Sequence, residues 1–235
     1  MPGDEVYMDL ITNVISKAES KVAVFFLQYD ISAQAKYPRQ FEQGCAAVRY
    51  LTADLGKSYS QLLLVGDSAG ANLALAVLSH MSHPHPTVST LQGSGHNFKG
   101  VLLISPWVTF DQTAPSFKTN AQKDFVSVPL LKSMSEAFMG DAPRSNYNTP
   151  LDAPPDWWRD IRTEKVLILA GGDEILKDDI QEFGEKLKKY NGKKVEVVVS
   201  PGECHDPPIA ERLMRINGDP GLVEMKLYQW VQDQV

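Results

Sequence analysis

One stretch constrains this chain more than any other. The apolar run Leu62–Val65 ends in Gly66-Asp67-Ser68-Ala69-Gly70 and passes without a spacer into Ala71-Asn72-Leu73-Ala74-Leu75-Ala76. A buried strand, a sharp turn and a helix of small residues are therefore expected in immediate succession, with Ser68 at the bend. Such a bend forces the serine into a strained backbone conformation. Its neighbours must then lack bulk, which Gly66 and Gly70 satisfy. The Ser68 hydroxyl would project past the carboxyl end of the strand, and the Ala69 N–H would lie at the helix N-terminus, able to donate to a developing oxyanion. A dinucleotide-binding turn fits less well: the glycines are spaced GxxxG, and no acidic residue ends a strand about 20 residues later.

Composition narrows the setting. The 235 residues are 43% hydrophobic and 22% charged, as expected for one domain, residues 1–235, with a large core. Twenty-three basic against 29 acidic residues give a net charge of −6, which argues against nucleic acid as a partner. The apolar runs are strand-sized, so no membrane span is expected. The acidic start Met1–Glu5 has no apolar segment of a secretion signal. Cys45 lies in a helical pattern and Cys204 beside a histidine, a poor basis for a disulfide, so a reducing, cytoplasmic setting is expected.

Strand-like runs at Val22–Tyr29, Leu62–Gly66, Val101–Ser105, Val166–Ala170 and Val195–Ser200 alternate with helical patterns. Those patterns cover Tyr7–Ala18, Arg39–Leu55, Ala69–Met81, Val128–Phe138, Asp179–Tyr190 and Leu222–Gln232. Continuous aliphatic strands separated by helices predict an α/β fold, a three-layer sandwich with a mostly parallel central sheet. Ser82–Lys99, with Pro84, Pro86, Gly93 and Gly95, reads as a surface insertion. The Pro- and aromatic-rich stretch at about 106–160 lies between two strands, where a lid is expected. Trp107 and Phe110, just past a strand's carboxyl end, and Asp67 beside the serine are the candidate substrate-binding residues.

Ser68 needs a base and a group that orients the base. His80, His83, His85 and His96 cluster around the insertion, whereas His205 follows the last strand, on the loop Pro201–Asp206. His205 is the expected base. The acid should follow the preceding strand, where Asp173 comes first and Glu174 is the fallback; Asp178 and Asp179 suit the start of the next helix. A metal site at His80-x-x-His83-x-His85 is disfavoured by Pro84 and the lack of a nearby cysteine, and no cofactor is expected.

With these residues the chain resembles the α/β-hydrolase superfamily, and within it the hormone-sensitive-lipase-like esterases. The resemblance rests on Gly66–Gly70, on the segment Tyr29 to Pro38, on Asp173 with Asp178, and on His205. Leu103–Val108 and Asp156-Trp157-Trp158 are similar to fungal members that act on secondary metabolites. The resemblance covers the chain from about Tyr7 onward. It implies a serine carboxylesterase with Ser68, Asp173 and His205 as catalytic residues, taking a small or medium apolar ester through an acyl-enzyme. The family's first three strands and its His-Gly-Gly motif, a source of oxyanion donors, have no counterpart in this sequence, so a partial α/β-hydrolase fold is expected. The third of those strands would lie between Val22–Tyr29 and Leu62–Gly66. Its absence leaves three outcomes: a truncated gene product, direct pairing of the two flanking strands, or a partner chain in the gap, for which a homo-oligomer is the simplest case. Two other functions fit the same residues. One is a non-catalytic small-molecule binding protein, and the other is a thioesterase or acyltransferase working on a secondary-metabolite intermediate.

Overall fold

The computed structural model describes residues 2–91, 96–216 and 218–235; Gly93 and Gly95 of the predicted insertion fall outside them. Four strands form one parallel sheet in the order β1 (Leu63–Asp67), β2 (Gly100–Ile104), β3 (Val166–Gly171), β4 (Val195–Ser200). Eight α-helices accompany them among the described residues: α1 (Pro2–Lys17), α2 (Arg39–Arg49), α3 (Ser68–Ser82), α4 (Ser116–Thr119), α5 (Val128–Met139), α6 (Lys177–Asn191), α7 (Pro207–Leu213) and α8 (Leu222–Gln232). The predicted helix at Arg39–Leu55 is realised as α2 continued by a π-helical turn, Tyr50–Asp54.

The side chains of β2 and β3 explain the three layers. Val101, Leu103, Val166, Ile168 and Ala170 join one apolar cluster with residues of α2, α3 and α6. The alternate residues Leu102, Ile104, Leu167 and Leu169 join a second cluster with residues of α1, α7 and α8. Both strands are buried from end to end, as the uninterrupted aliphatic runs predict for a sheet covered on both faces. On the second face Arg212 of α7 ties the helices together, donating to Glu224 of α8 at 2.7 Å and 2.8 Å and to Asp9 of α1 at 2.7 Å.

Close backbone approaches fix the two strand ends that matter for the site. A Cβ at Gly66 would run into the Gly70 carbonyl, and a Cβ at Gly171 into the Cys204 and Glu203 carbonyls. Glycine at these positions lets α3 begin directly over β1 and lets the loop after β4 cross the end of β3.

The expected strand at Val22–Tyr29 does not form. The segment lacks regular structure, and Val24, Phe25 and Phe26 are exposed. β1 pairs with β2 alone, and Val65 within it is half exposed. The reason is hydrogen bonding: an extended run becomes a strand only when a neighbour satisfies its amides, and this one is not paired with β1. Direct pairing of the two segments is therefore not what the chain adopts. Instead Phe26 packs on Tyr7 at 5.5 Å and Phe25 on Tyr50 at 6.0 Å between ring centroids.

Leu103→Ala, in the middle of β2, should lower stability by about 2–5 kcal/mol, whereas Val24→Ser should change it by less than about 0.5 kcal/mol. Urea unfolding followed by circular dichroism checks both, and a large loss at Val24 would place that segment in the core.

Candidate active site

β1 delivers Ser68 to the sheet's carboxyl edge, and α3 starts at that same residue. Its φ is +48°, a left-handed conformation costly for any residue with a Cβ and held here by the packing of β1 against α3. The Ser68 carbonyl accepts the Trp107 N–H at 3.2 Å, fixing the bend to the end of β2. Ala69 lies in the first turn of α3, where backbone N–H groups have no acceptor within the helix.

The loop after β4 brings His205 to the serine. His205 Nε2 stands 2.9 Å from Ser68 Oγ, and Nδ1 stands 2.9 Å from Glu174 Oε2. Glu174 is fully buried, and its other oxygen accepts the Gly171 N–H at 3.1 Å. A hydroxyl, an imidazole and a carboxylate are thus linked in one hydrogen-bonded chain, the arrangement that nucleophilic catalysis requires.

Asp173, the acid expected from the sequence, is not in that chain. Its carboxylate pairs with Lys123 Nζ at 2.9 Å on the surface. The backbone explains the one-residue difference. The Asp173 N–H donates to the Glu203 carbonyl at 2.9 Å, which turns its side chain outward, and the next residue, one methylene longer, points inward to the imidazole. Asp67 also takes a place other than the expected one: its Oδ2 accepts the Tyr7 hydroxyl at 2.6 Å, and it does not line the cavity. Trp107 and Phe110 do line it.

Sequence reasoning missed two supporting residues. Asp124 accepts the His205 N–H at 3.2 Å through Oδ1 and the Ile175 N–H at 2.8 Å through Oδ2, bracing both the histidine and acid loops. Ser105, with φ +44°, accepts the Asp206 N–H at 2.9 Å. Asp124 sits in a segment without periodic pattern and Ser105 at the end of a predicted strand, and nothing local marks the role of either.

Electrostatics follow from burial. Burial alone would lower the His205 pKa, but the hydrogen bond and charge of Glu174, aided by Asp124 and Asp67, outweigh it and raise it above the ordinary histidine value. Burial pushes the Glu174 carboxyl up, against the opposing pull of His205.

An apolar cavity of about 430 Å³ opens beside Ala69. Its walls include Tyr29, Phe41, Trp107 and Phe110, with Met134 and Phe138 contributed by α5 from the stretch where a lid was expected. The insertion histidines are occupied elsewhere. His83 Nε2 lies 2.9 Å from the Trp157 carbonyl and its ring stacks on Trp157, while His80 Nδ1 accepts the His85 N–H at 2.9 Å. Among the described residues, no group of three or more His, Cys, Asp or Glu is placed to hold a metal, and no helix is long and apolar enough to cross a membrane. Cys45 and Cys204 are both free.

Comparison with known proteins gives one consistent result. A family model described as alpha/beta hydrolase fold matches residues 9–208. The chain is 24% identical over 191 residues to an esterase of Acinetobacter venetianus, covering 78% of this chain and 56% of that protein. It is 27% identical over 175 residues to an acetyl-hydrolase of Streptomyces hygroscopicus, covering 71% of this chain and 52% of that protein. The chain thus spans about half the length of these curated relatives. Among solved structures it superposes on carboxyl esterase 2 of the mycorrhizal fungus Tuber melanosporum with a TM-score of 0.80 at 22% identity, over 98% of this chain and 73% of that one. It also superposes on an esterase from the bacterial hormone-sensitive lipase family with a TM-score of 0.69 at 24% identity, over 85% and 62% of the two chains.

Replacing Glu174 by Gln should slow the reaction of Ser68 with a fluorophosphonate by at least about a hundredfold, while Asp173→Asn should leave it near the wild-type rate. The imidazole must be neutral to accept the serine proton, and its raised pKa keeps it protonated to higher pH. Labelling should therefore fall on acidification with a midpoint above the ordinary histidine value of 6.5. Stopped labelling assays across a pH series measure both effects.

Proposed function

The chain belongs to the alpha/beta hydrolase fold family, and we propose that within it this protein is a serine carboxylesterase acting on esters with small or medium apolar groups. The observation that carries this reading is the unbroken hydrogen-bonded path from Ser68 Oγ through His205 to the buried Glu174. In the proposed reaction His205 Nε2 takes the hydroxyl proton as Oγ attacks the ester carbonyl. Glu174 holds the Nδ1–H tautomer and stabilises the imidazolium. The Ala69 N–H donates to the developing oxyanion. The alkoxide leaves with the proton from His205, and an acyl group remains on Ser68. Water, deprotonated by His205 in turn, releases the acid.

The walls of the cavity support the substrate class. Trp107, Phe110 and Phe138 surround one end of the ester with apolar surface, and the stretch at about 106–160 serves as a cap through α5. Names of the similar proteins, an esterase and an acetyl-hydrolase, agree with this choice.

Wild-type protein should turn over p-nitrophenyl butyrate and acetate, and Ser68→Ala should abolish turnover and fluorophosphonate labelling. A folded protein that is neither labelled nor active would remove the esterase reading and leave a binding role. Truncating the cavity wall with Phe138→Ala should cut the preference for butyrate over acetate by roughly tenfold in kcat/KM, as steady-state kinetics on the two esters would report.

A further inference from the structure

The cavity beside Ala69 is walled mostly by apolar side chains, yet two buried carboxamides stand in its wall, Gln40 of α2 at 4% exposure and Asn72 of α3 at 6%. Asn72 lies one helical turn beyond Ser68. Each carboxamide spends both of its amide hydrogens on main-chain carbonyls. Asn72 Nδ2 donates to the Trp107 carbonyl at 2.8 Å and to the Asn148 carbonyl at 2.9 Å. Gln40 Nε2 donates to the Asp30 and Ala35 carbonyls, each at 2.9 Å. Exchanging nitrogen and oxygen in either group would set an oxygen against two carbonyl oxygens, so both orientations are locked.

The carbonyl ends of these two groups are left over. Gln40 Oε1 is closed off from solvent with no donor in reach. Asn72 Oδ1 also meets no donor among the described residues, and it is not closed off, so it remains an open acceptor on a wall residue of the cavity. A buried carbonyl oxygen without a donor is costly, and a donor arriving from the cavity side removes that cost. Neighbouring polar groups of the wall do not supply one. The Tyr147 hydroxyl donates to the His83 carbonyl at 2.8 Å, and the Asp30 carboxylate, itself an acceptor, pairs with Arg39 at 3.1 Å. A mostly apolar pocket with a few rigid polar groups is the form in which a site reads the identity of its ligand. Two locked acceptors select a ligand that donates.

We propose that the ester taken by this cavity carries a hydrogen-bond donor, a hydroxyl or an N–H, on its otherwise apolar body, with Asn72 Oδ1 as the acceptor that reads it and Gln40 Oε1 as the second. Asn72 and Gln40 are then specificity-determining residues. The inference rests on the esterase reading and narrows its substrate class.

The test uses two matched pairs of esters, one for each half of the substrate. The acyl pair is p-nitrophenyl 3-hydroxybutyrate and p-nitrophenyl butyrate; the alcohol pair is 4-hydroxybutyl butyrate and butyl butyrate. With each ratio corrected for the rates in hydroxide alone, kcat/KM should favour the hydroxylated ester by about tenfold in one pair. Asn72→Val and Gln40→Leu should bring that ratio down toward one. General damage to the fold lowers both esters of a pair alike and leaves the ratio unchanged, so a structural role does not mimic the result. If Asn72→Val does not fold, Gln40→Leu and the wild-type ratio carry the test. Calorimetric binding of the alcohol pair to Ser68→Ala reads the same preference without turnover. Hydroxylated esters that are no better than their partners in both pairs, in turnover and in binding, would overturn the proposal, as would a preference that neither variant moves. Selective binding to Ser68→Ala by a protein that hydrolyses none of the four esters would support the donor site and overturn the esterase reading alone.

Discussion

Everything at the site depends on one costly backbone conformation, the left-handed turn of Ser68 between β1 and α3. A serine does not choose that conformation on its own. It is imposed because Gly66 lets the first turn of α3 lie directly on the strand, and because the Trp107 N–H holds the Ser68 carbonyl. The strain has a geometric result: Oγ is lifted above the sheet's edge, and α3 presents its free N–H groups to the same side. Ser105 and Asp206 take comparable left-handed turns at the neighbouring strand ends. Three strained residues from three chain segments, two of them joined through the Asp206 N–H and Ser105 Oγ, form a frame that the sheet below keeps rigid.

The carboxyl edge of the sheet also sets the electrostatics. Glu174, Asp124 and Asp67 converge on a single imidazole, and the shift of His205 reflects that concentration of negative charge against the cost of burial. Burial raises the carboxyl of Glu174 while the imidazole beside it pulls the other way, so the contact between the two offsets part of the cost of burying both. A base that gains and returns a proton within one reaction cycle benefits from that balance.

Much of this was legible in the residues. Aliphatic runs marked four of the five expected strands, most plainly β2 and β3, whose burial on both faces leaves a continuous apolar signature. Ser68 and His205 were legible because the glycine-flanked bend and the position after the last strand are chain-local features. The carboxylate that meets His205 lies one residue beyond the expected Asp173, because Asp173 and Glu174 are separated by the way the backbone turns after Gly171, and that turn is held by Glu203, some 30 positions away. Val22–Tyr29 looked like a strand for a related reason: apolar, extended sequence reports a preference, while strand formation needs a neighbour whose hydrogen bonds are free and in register. Asp124 could not be read at all, since its role comes from meeting two distant loops.

The lone pairing of β1 carries a mechanical corollary. The strand that presents the serine is braced by β2 on one flank and by α3 above, while its other flank shows a row of backbone groups to the outside. Amides on that open rim should trade hydrogen for solvent sooner than those of β2 or β3. Because Val65 lies only three residues from Ser68, the rim and the bend share one short piece of chain, and whatever settles against the rim would stiffen the serine along with the sheet.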